Sequence, residues 1–186
     1  IDGTGRLSMY EKQTWIDGVS ITNAERLNHI EDGIESNSKD ISDLKEINIM
    51  QISQAKEQTI IAADFQGRKI NCELDLSIGN KLTYENYSIK IGKGVKFVKV
   101  SGAIFLNNKS GSSSTYAFGQ IRKNEEDIAH TITYSNSIFI STPISEKLIE
   151  VKENDVISLY IDLSDGQAVT RGDYGSTYLK VEVVEW

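Results

Sequence analysis

The stretch TYLKVEVVE, from Thr177 to Glu185, alternates between two kinds of side chain with a period of two residues. Leu179, Val181 and Val183 are apolar, whereas the residues between them are polar, charged or amphipathic. Successive side chains of a β-strand point to opposite faces of a sheet, so this pattern predicts a strand with one dry and one wet face. Strands of this kind are typical of antiparallel sheets.

A composition typical of β-strands extends back to Thr59, because short runs of Val, Ile, Thr, Tyr and Phe are separated there by Gly, Asn and Ser. These residue types favour strands and turns, respectively. We expect strands at Thr59–Asp64, Ile70–Ser77, Tyr87–Ile91, Val95–Leu106, Thr115–Lys123, Asp127–Tyr134, Ser137–Ser141, Lys147–Val151, Asp155–Asp162 and Thr177–Glu185. So many short strands in one segment predict an antiparallel β-sandwich or jelly roll.

The segment before the β region has a different character. Between Thr22 and Gln58 there is no aromatic residue and no Pro, and Ile and Leu recur at spacings of three and four, which indicates an α-helix. Thr22 and Glu25 fit an N-terminal capping box. The apolar stripe is formed by Leu27, Ile30, Ile34, Ile41 and Leu44, and the heptad series continues through polar positions that include Asn48. A stripe this narrow favours a coiled coil of identical chains; the alternative is a helix packed on its own β domain.

Composition excludes several classes of function. The net charge is -7, and no cluster of Lys and Arg exceeds two residues, so nucleic-acid binding is not expected. The single cysteine, Cys72, cannot form a disulfide within the chain, and we expect it to be buried. No apolar run is long enough for a membrane span. Residues 1–8 resemble a remnant of an expression vector and carry no weight in the fold prediction.

The titratable residues do not form a catalytic or metal-binding motif. His29 and His130 lie in different segments, so no metal or cofactor is expected. Asp162, Asp165 and Asp173 surround a Gly-containing loop, where carboxylates serve as solvated turn formers, as calcium ligands or as a glycosidase pair. The first of these interpretations is favoured, and we expect a protein that is not an enzyme.

Two loops have the composition of a recognition surface. Asn107–Thr115 is long, small and polar, and Leu163–Thr177 contains Gln, Arg, Asp and Tyr. Tyr combined with Asn, Ser and Gly supplies flat amphipathic area and adaptable hydrogen bonds. The candidate ligand-binding residues are Asn107, Asn108, Tyr116, Arg171, Asp173 and Tyr174.

The segment from Tyr10 to Ile34, YEKQTWIDGVSITNAERLNHIEDGI, is more specific. It resembles an N-terminal segment of tail-fibre and baseplate receptor-binding proteins of phages that infect Gram-positive bacteria. The matching residues are Trp15, Asp17, Gly18, Ile21, Asn23, Ala24, Leu27, Asn28, His29, Ile30, Glu31, Gly33 and Ile34. The chain lacks the Pro that such proteins have near Ser20 and Ile21.

The β region resembles the trimeric TNF-like or C1q-like jelly-roll heads of some of these fibres, on the segments Gly94–Leu106, Phe118–Asn124 and Thr177–Glu185. The resemblance implies a homotrimer with receptor contacts at its tip or between protomers. Residues 9–21 would attach to other tail or baseplate proteins, residues 22–58 would form a helical coiled-coil shaft, and residues 59–186 would form the head.

The expected protein is mainly β with an N-terminal α-helical coiled coil, and it is located in the virion tail after synthesis in the bacterial cytoplasm. Its expected function is host attachment through a bacterial cell-surface ligand, a wall saccharide or else a protein. The alternatives are a structural tail component without receptor contact and a wall-polysaccharide depolymerase.

Overall fold

The computed structural model describes residues 28–36, 47–62, 67–108, 115–135, 137, 139–164, 166–172 and 175–184. The chain divides into two compact units, Ile1–Glu46 and Ile47–Trp186. In the first unit, residues 28–36 are helical. The strands of the second unit are β1 (Ile49–Ser53), β2 (Gln58–Ile61), β3 (Arg68–Lys69), β4 (Glu73–Ile78), β5 (Leu82–Glu85), β6 (Ser88–Ile91), β7 (Phe97–Asn108), β8 (Thr115–Lys123), β9 (Glu126–Ser135), β10 (Phe139–Glu150), β11 (Val156–Leu163), β12 (Gln167–Thr170) and β13 (Tyr178–Val184).

These strands form two antiparallel sheets. Sheet A has the order β2-β12-β7-β13-β1-β4, and β10 pairs with the other edge of β7. Sheet B has the order β5-β6-β11-β8-β9, and β3 pairs with β11. Strand β7 is long enough to pair with β13 along Phe97–Ala103 and with β12 along Leu106–Asn108. The predicted antiparallel β-sandwich is therefore confirmed.

The core lies between the two sheets. Alternate residues of the central strands are fully buried, among them Val98 and Val100 of β7 and Ile157, Leu159 and Ile161 of β11. Hydrophobic burial of such side chains contributes about 1.5–3 kcal/mol each. The sheets approach closely at Gly119 of β8, where an added Cβ would lie 2.8 Å from Thr142 Cγ2 of β10. The period-two pattern in the sequence therefore marks the faces that meet in the core.

The predicted helical shaft is wrong at its C-terminal end, because β1 occupies Ile49–Ser53 between β4 and β13 of sheet A. Met50 and Ile52 are buried at a spacing of two residues, so their pattern belongs to a strand rather than to a heptad repeat. Asn48, assigned above to the helical stripe, is buried within the β unit. Its Oδ1 accepts hydrogen bonds from the amides of Asn80 and Lys81 at 2.9 and 3.0 Å.

The helical segment that the structure does describe is short. Ile30 and Ile34, one turn apart in this helix, are 58% and 42% exposed. Leu27, Ile41 and Leu44, the other residues of the predicted stripe, lie outside the described residues. The described helix, residues 28–36, gives no indication of a coiled coil, so self-association through this stripe stays a prediction. Within the described ranges, no helix is long and apolar enough to cross a membrane.

A second correction concerns β10. The sequence predicted two strands, Ser137–Ser141 and Lys147–Val151, but one strand runs from Phe139 to Glu150 along β7. It contains Pro143 and an irregularity between Ile144 and Lys147. Proline is tolerated in an edge strand, because the amide hydrogen that it lacks would point away from the sheet. Bulges, which insert an extra residue, are also common at sheet edges.

A candidate ligand-binding groove on the outer face of sheet B

The structure separates the predicted ligand-binding residues onto the two sheets. Asn107 and Asn108 are the last residues of β7 in sheet A, and Arg171 directly follows β12 of the same sheet. Tyr116 lies in β8 of sheet B. Asp173 and Tyr174 are outside the described residues. The candidate residues therefore do not form one site.

The sheet A residues lie near an aromatic pair, of which Phe139 is exposed and Phe105 is half-buried. The Arg171 amide donates a hydrogen bond to the carbonyl of Phe105 at 3.0 Å, and its guanidinium lies 5.4 Å from the centroid of the Phe105 ring. Phe105 and Phe139 have ring centroids 6.1 Å apart, and Asn107 is the register partner of Phe139. Asn107 and Arg171 are thus neighbours on the outer face of sheet A.

Tyr116 lies on the outer face of sheet B with other large side chains. In β8, Ala117, Gly119 and Ile121 are buried towards sheet A, so the alternate residues Tyr116 and Phe118 face outwards. The register places Tyr134 opposite Tyr116, and both Ile132 and Asp162 opposite Phe118. Cross-strand partners share a face of the sheet, so these side chains form one continuous surface.

Tyr116 is fixed at the rim of this surface. It is 50% exposed, and its ring centroid lies 5.0 Å from that of Tyr134. Its backbone amide donates to Ser164 Oγ at 2.9 Å, and the Ser164 amide donates to the carbonyl of Tyr116 at 3.0 Å. These contacts order the aromatic side chain before any ligand binds, which reduces the entropy lost on binding.

Asp162 borders the same surface, but its carboxylate is buried. The residue is only 4% exposed, and its Oδ1 accepts a hydrogen bond from the amide of Leu163 at 2.8 Å. Its Oδ2 is buried and has no hydrogen-bond partner among the described residues. Gln54 and Thr142 also have buried polar atoms without such a partner, but both side chains are neutral and neither lines this surface.

Together these residues line a groove of about 430 Å³, formed by Tyr116, Phe118, Ile132, Asp162, Leu163 and Ser164. This volume falls within the roughly 300–1,000 Å³ of small-molecule sites. Its accessible lining is almost entirely apolar, although Tyr116, Asp162 and Ser164 carry polar groups, and it contains no Lys, Arg or His. We name this feature the sheet B groove.

Sequence reasoning missed most of the groove. It identified Tyr116, and it considered Asp162 only as a turn former, a calcium ligand or a glycosidase residue. Phe118 and Ile132 were treated as strand residues without a binding role. One signal in the sequence could have identified the groove. Large apolar residues of β8 and β9 occupy the face that the alternation of residues predicts to be exposed to solvent.

A second depression of about 430 Å³ lies between β9 and β10. There Asp127 Oδ2 is 2.9 Å from His130 Nδ1, and Lys147 Nζ donates to the carbonyl of Ile128 at 2.6 Å. These polar groups bind one another, so this depression is the weaker candidate for a ligand site.

Two other chemistries receive no support. Burial raises the pKa of the Cys72 thiol to about 12, so at neutral pH the residue is a protonated thiol rather than a nucleophile. Among the described residues there is no group of three or more His, Cys, Asp or Glu that could hold a metal ion. Asp165 and Asp173, considered with Asp162 as calcium ligands, lie outside those residues.

Comparison with known proteins gives a likeness of fold. No protein-family model and no curated protein matches the chain. Among solved structures, murine APRIL at pH 8.0 aligns at 11% identity over 75% of this chain and 100% of its own, with a TM-score of 0.56. Eiger TNF from S. frugiperda aligns at 8% identity over 76% and 94%, with a TM-score of 0.54.

At these identities the likeness concerns the fold alone. It agrees with the two antiparallel sheets and with the buried face between them. The chain therefore contains a TNF-like jelly roll, as its sequence predicted.

Proposed function

We propose that this protein is a host-attachment protein of a phage or prophage of Gram-positive bacteria. In this proposal it is a homotrimer whose β domain binds a cell-surface saccharide. The observation that carries the proposal is the sheet B groove, in which aromatic and aliphatic side chains line a cavity of about 430 Å³ on an outer face.

The groove has the chemistry that a sugar requires. A sugar ring presents C–H groups that pack on aromatic and aliphatic side chains, and it presents hydroxyl groups that need acceptors. Tyr116, Phe118 and Ile132 supply the apolar wall, and Tyr116 and Ser164 carry hydroxyl groups. Sites for small ligands combine a mostly apolar lining with a few polar groups in this way.

The phage assignment rests on the sequence. The residues that match tail-fibre proteins lie between Trp15 and Ile34, ahead of the β domain, so the order of parts fits a fibre with a binding head. The TNF-like fold supports the proposed trimer, because the trimeric heads that this sequence resembles have the same fold. Three equivalent sites on one particle raise avidity, since the second and third contacts form at high effective concentration.

The test is binding of the fluorescently labelled full-length chain to a panel of Gram-positive cells, with and without enzymatic removal of wall polysaccharide. We expect binding to at least one strain and its loss on removal of the polysaccharide. Tyr116→Ala should weaken binding, because it removes one wall of the groove. Phe139→Ala is the matched control, since Phe139 is an equally exposed aromatic residue of sheet A.

Each outcome decides between functions. Binding that survives removal of the polysaccharide would redirect the assignment to a protein receptor. Absence of binding to every strain would support the structural alternative. Release of reducing sugar ends during the incubation would support a depolymerase, which requires a second carboxyl group about 5–9.5 Å from the first. Light scattering that gives the mass of one chain would contradict the trimer.

A further inference from the structure

We propose that the sheet B groove selects a 6-deoxyhexose, a sugar unit that has a methyl group at carbon 6 where common hexoses have a hydroxymethyl group. The methyl group packs in the groove against Phe118 and Ile132, and the hydroxyl groups of the sugar stay outside it. The inference rests on the proposed saccharide-binding function and names the chemical class of the ligand. It follows from the lining of the groove and from the polar groups that this lining does not offer.

The groove is apolar where a ligand can touch it. Its accessible surface comes almost entirely from apolar atoms, although Asp162 and Ser164 are among its lining residues. The Asp162 carboxylate is buried, and its Oδ1 accepts a backbone amide at 2.8 Å. Ser164 Oγ accepts the Tyr116 amide at 2.9 Å. A ligand group that enters the groove therefore meets almost no exposed polar surface.

This lining discriminates between a methyl and a hydroxymethyl group. A hydroxyl group that enters the groove leaves its water partners and gains no donor or acceptor in return, which is unfavourable. A methyl group at the same position gains from leaving water and from contact with Phe118 and Ile132. Two hexoses that differ only at carbon 6 therefore bind with different affinities, and the 6-deoxy member binds more tightly.

The hydroxyl groups of the same sugar unit have partners beside the groove. Tyr116 and Tyr134 are register partners with ring centroids 5.0 Å apart, and they are 50% and 56% exposed. Each phenol group can donate and accept a hydrogen bond, and each ring adds apolar area. An apolar groove next to amphipathic side chains matches a sugar that has one methyl corner and several hydroxyl groups.

Three other classes of sugar unit fit less well. Anionic units and phosphate-bearing polymers need a cation, whereas no Lys, Arg or His lines the groove and the net charge of the chain is -7. Amino sugars need a carboxylate, and that of Asp162 is buried. An N-acetyl group also carries a methyl group, but its amide N–H and carbonyl would enter the apolar lining with it.

The experiment is a nuclear magnetic resonance titration of the full-length chain with two matched pairs of methyl glycosides. The L-rhamnoside and L-mannoside form one pair, and the L-fucoside and L-galactoside form the other; within each pair the compounds differ only at carbon 6. We expect the 6-deoxy member of at least one pair to bind about tenfold more tightly, which corresponds to one hydroxyl group left without a partner.

Ile132→Thr should reduce this preference several-fold, because it places a hydroxyl group in the wall of the groove and removes part of the apolar contact. Ile61→Thr is the matched control and should keep the preference. Ile61 is 59% exposed and Ile132 is 61% exposed, but Ile61 lies in β2 of sheet A. Threonine is favoured in β-strands, so we expect both variants to fold, and circular dichroism checks this.

A measurement on the wild-type chain does not depend on the variants. When the protein resonances are saturated, transfer of magnetisation to the bound 6-deoxy sugar should be strongest at the methyl protons of carbon 6, because they lie in the groove. Transfer to the methyl group of the glycosidic oxygen, which the four compounds share, is the internal control. Strongest transfer to the ring protons would contradict the proposed placement of the methyl group.

Equal affinities within both pairs, or a preference that survives unchanged in Ile132→Thr, would overturn the 6-deoxyhexose assignment while saccharide binding still stands. No binding of any of the four glycosides would also overturn it, and the cell experiment above then judges the attachment function separately. Competition by N-acetyl-leucine amide as effective as that by the 6-deoxy sugar would assign the groove to an apolar side chain of a protein. A lower mass of Ile132→Thr in light scattering would assign it to a contact between copies of this chain.

Discussion

The outer face of sheet A and the groove region of sheet B differ in how their polar groups are paired. On sheet A the polar side chains bind one another: Lys99 pairs with Glu146 at 3.2 Å, Lys180 pairs with Glu182 at 3.3 Å, and Asp75 accepts hydrogen bonds from Gln51 and Ser53, both at 2.8 Å. Sheet B also pairs polar side chains, such as Lys90 with Glu85 at 3.4 Å and the Tyr160 hydroxyl with Glu125 at 2.6 Å. Beside the sheet B groove, however, one oxygen atom of the Asp162 carboxylate has no partner among the described residues.

This difference distinguishes polar groups that stabilise the fold from a polar group that does not. A face whose polar groups are satisfied within the chain has little to gain from a ligand. A region that keeps a buried charge unpaired is less stable than it could be. Local departures from good packing chemistry are expected at functional sites. The predictions below test the contrast, from the largest expected effect to the smallest.

The largest effect is expected where β11 faces the core rather than the groove. Leu159→Ala should lower the free energy of unfolding by about 2–5 kcal/mol, because it leaves a cavity between the sheets. Ile132→Ala is the matched change on the outer face, where Ile132 is 61% exposed, and should cost far less stability while weakening saccharide binding. Urea denaturation of both variants measures this, and equal losses of stability would contradict the assignment of the two faces.

Asn48 tests the satisfied polar groups of the β unit. Asn48→Ala should destabilise the protein by about 1–3 kcal/mol, because the Asn80 and Lys81 amides lose their acceptor. The turn is also specialised, since Gly79 has a φ of +81° next to Asn48. The same denaturation experiment checks the value. A negligible change would show that Asn48 does not hold this turn, whereas a helical shaft through residue 58 would make Asn48→Ala neutral or stabilising.

Two Asp→Asn changes should have opposite signs. Asp75→Asn should destabilise the protein by about 1 kcal/mol, since Asp75 accepts two side-chain hydrogen bonds in sheet A. Asp162→Asn should raise the free energy of unfolding by up to about 1 kcal/mol, and with it the thermal midpoint, since it removes an unpaired buried charge. Differential scanning calorimetry of the two variants gives both signs. A loss of stability in Asp162→Asn would mean that Oδ2 has a partner within the folded chain.

The smallest effect is expected at the ion pairs of sheet A. Lys99→Ala should change the free energy of unfolding by less than about 1 kcal/mol, because the Lys99–Glu146 pair is half exposed and screened by solvent. The effect should shrink further at high salt. Denaturation at low and high ionic strength measures it. A larger and salt-independent loss would show that sheet A depends on this pair more than its exposure suggests.

Part of the fold could be predicted from the sequence. The alternation of Leu179 and Val181 with polar residues predicted β13, and the two core-facing residues are fully buried. The strand pattern predicted the sandwich. The C-terminal end of the helix was predicted incorrectly. Over so few residues, the spacing of Met50 and Ile52 fits both the two-residue period of a strand and an irregular heptad repeat. Their partners in β4 and β13 resolve the ambiguity, and those partners are distant in sequence.

Less of the candidate site than of the fold could be predicted from the sequence. Tyr116 was identified from the composition of its loop, but Phe118, Ile132 and Asp162 become neighbours only when β8, β9 and β11 pair in register. Asn107 and Arg171, which were grouped with Tyr116, belong to the other sheet.

The sequence by itself determined that a polar, helix-forming segment precedes a β domain, because residue periodicity is a local property. It also carried the segment from Tyr10 to Ile34 that supports the phage assignment. Only the tertiary structure decided that β1 joins sheet A and that an unpaired carboxylate oxygen is buried beside an apolar groove. Burial and hydrogen-bond satisfaction depend on strands that are far apart in the chain, so no local pattern can specify them.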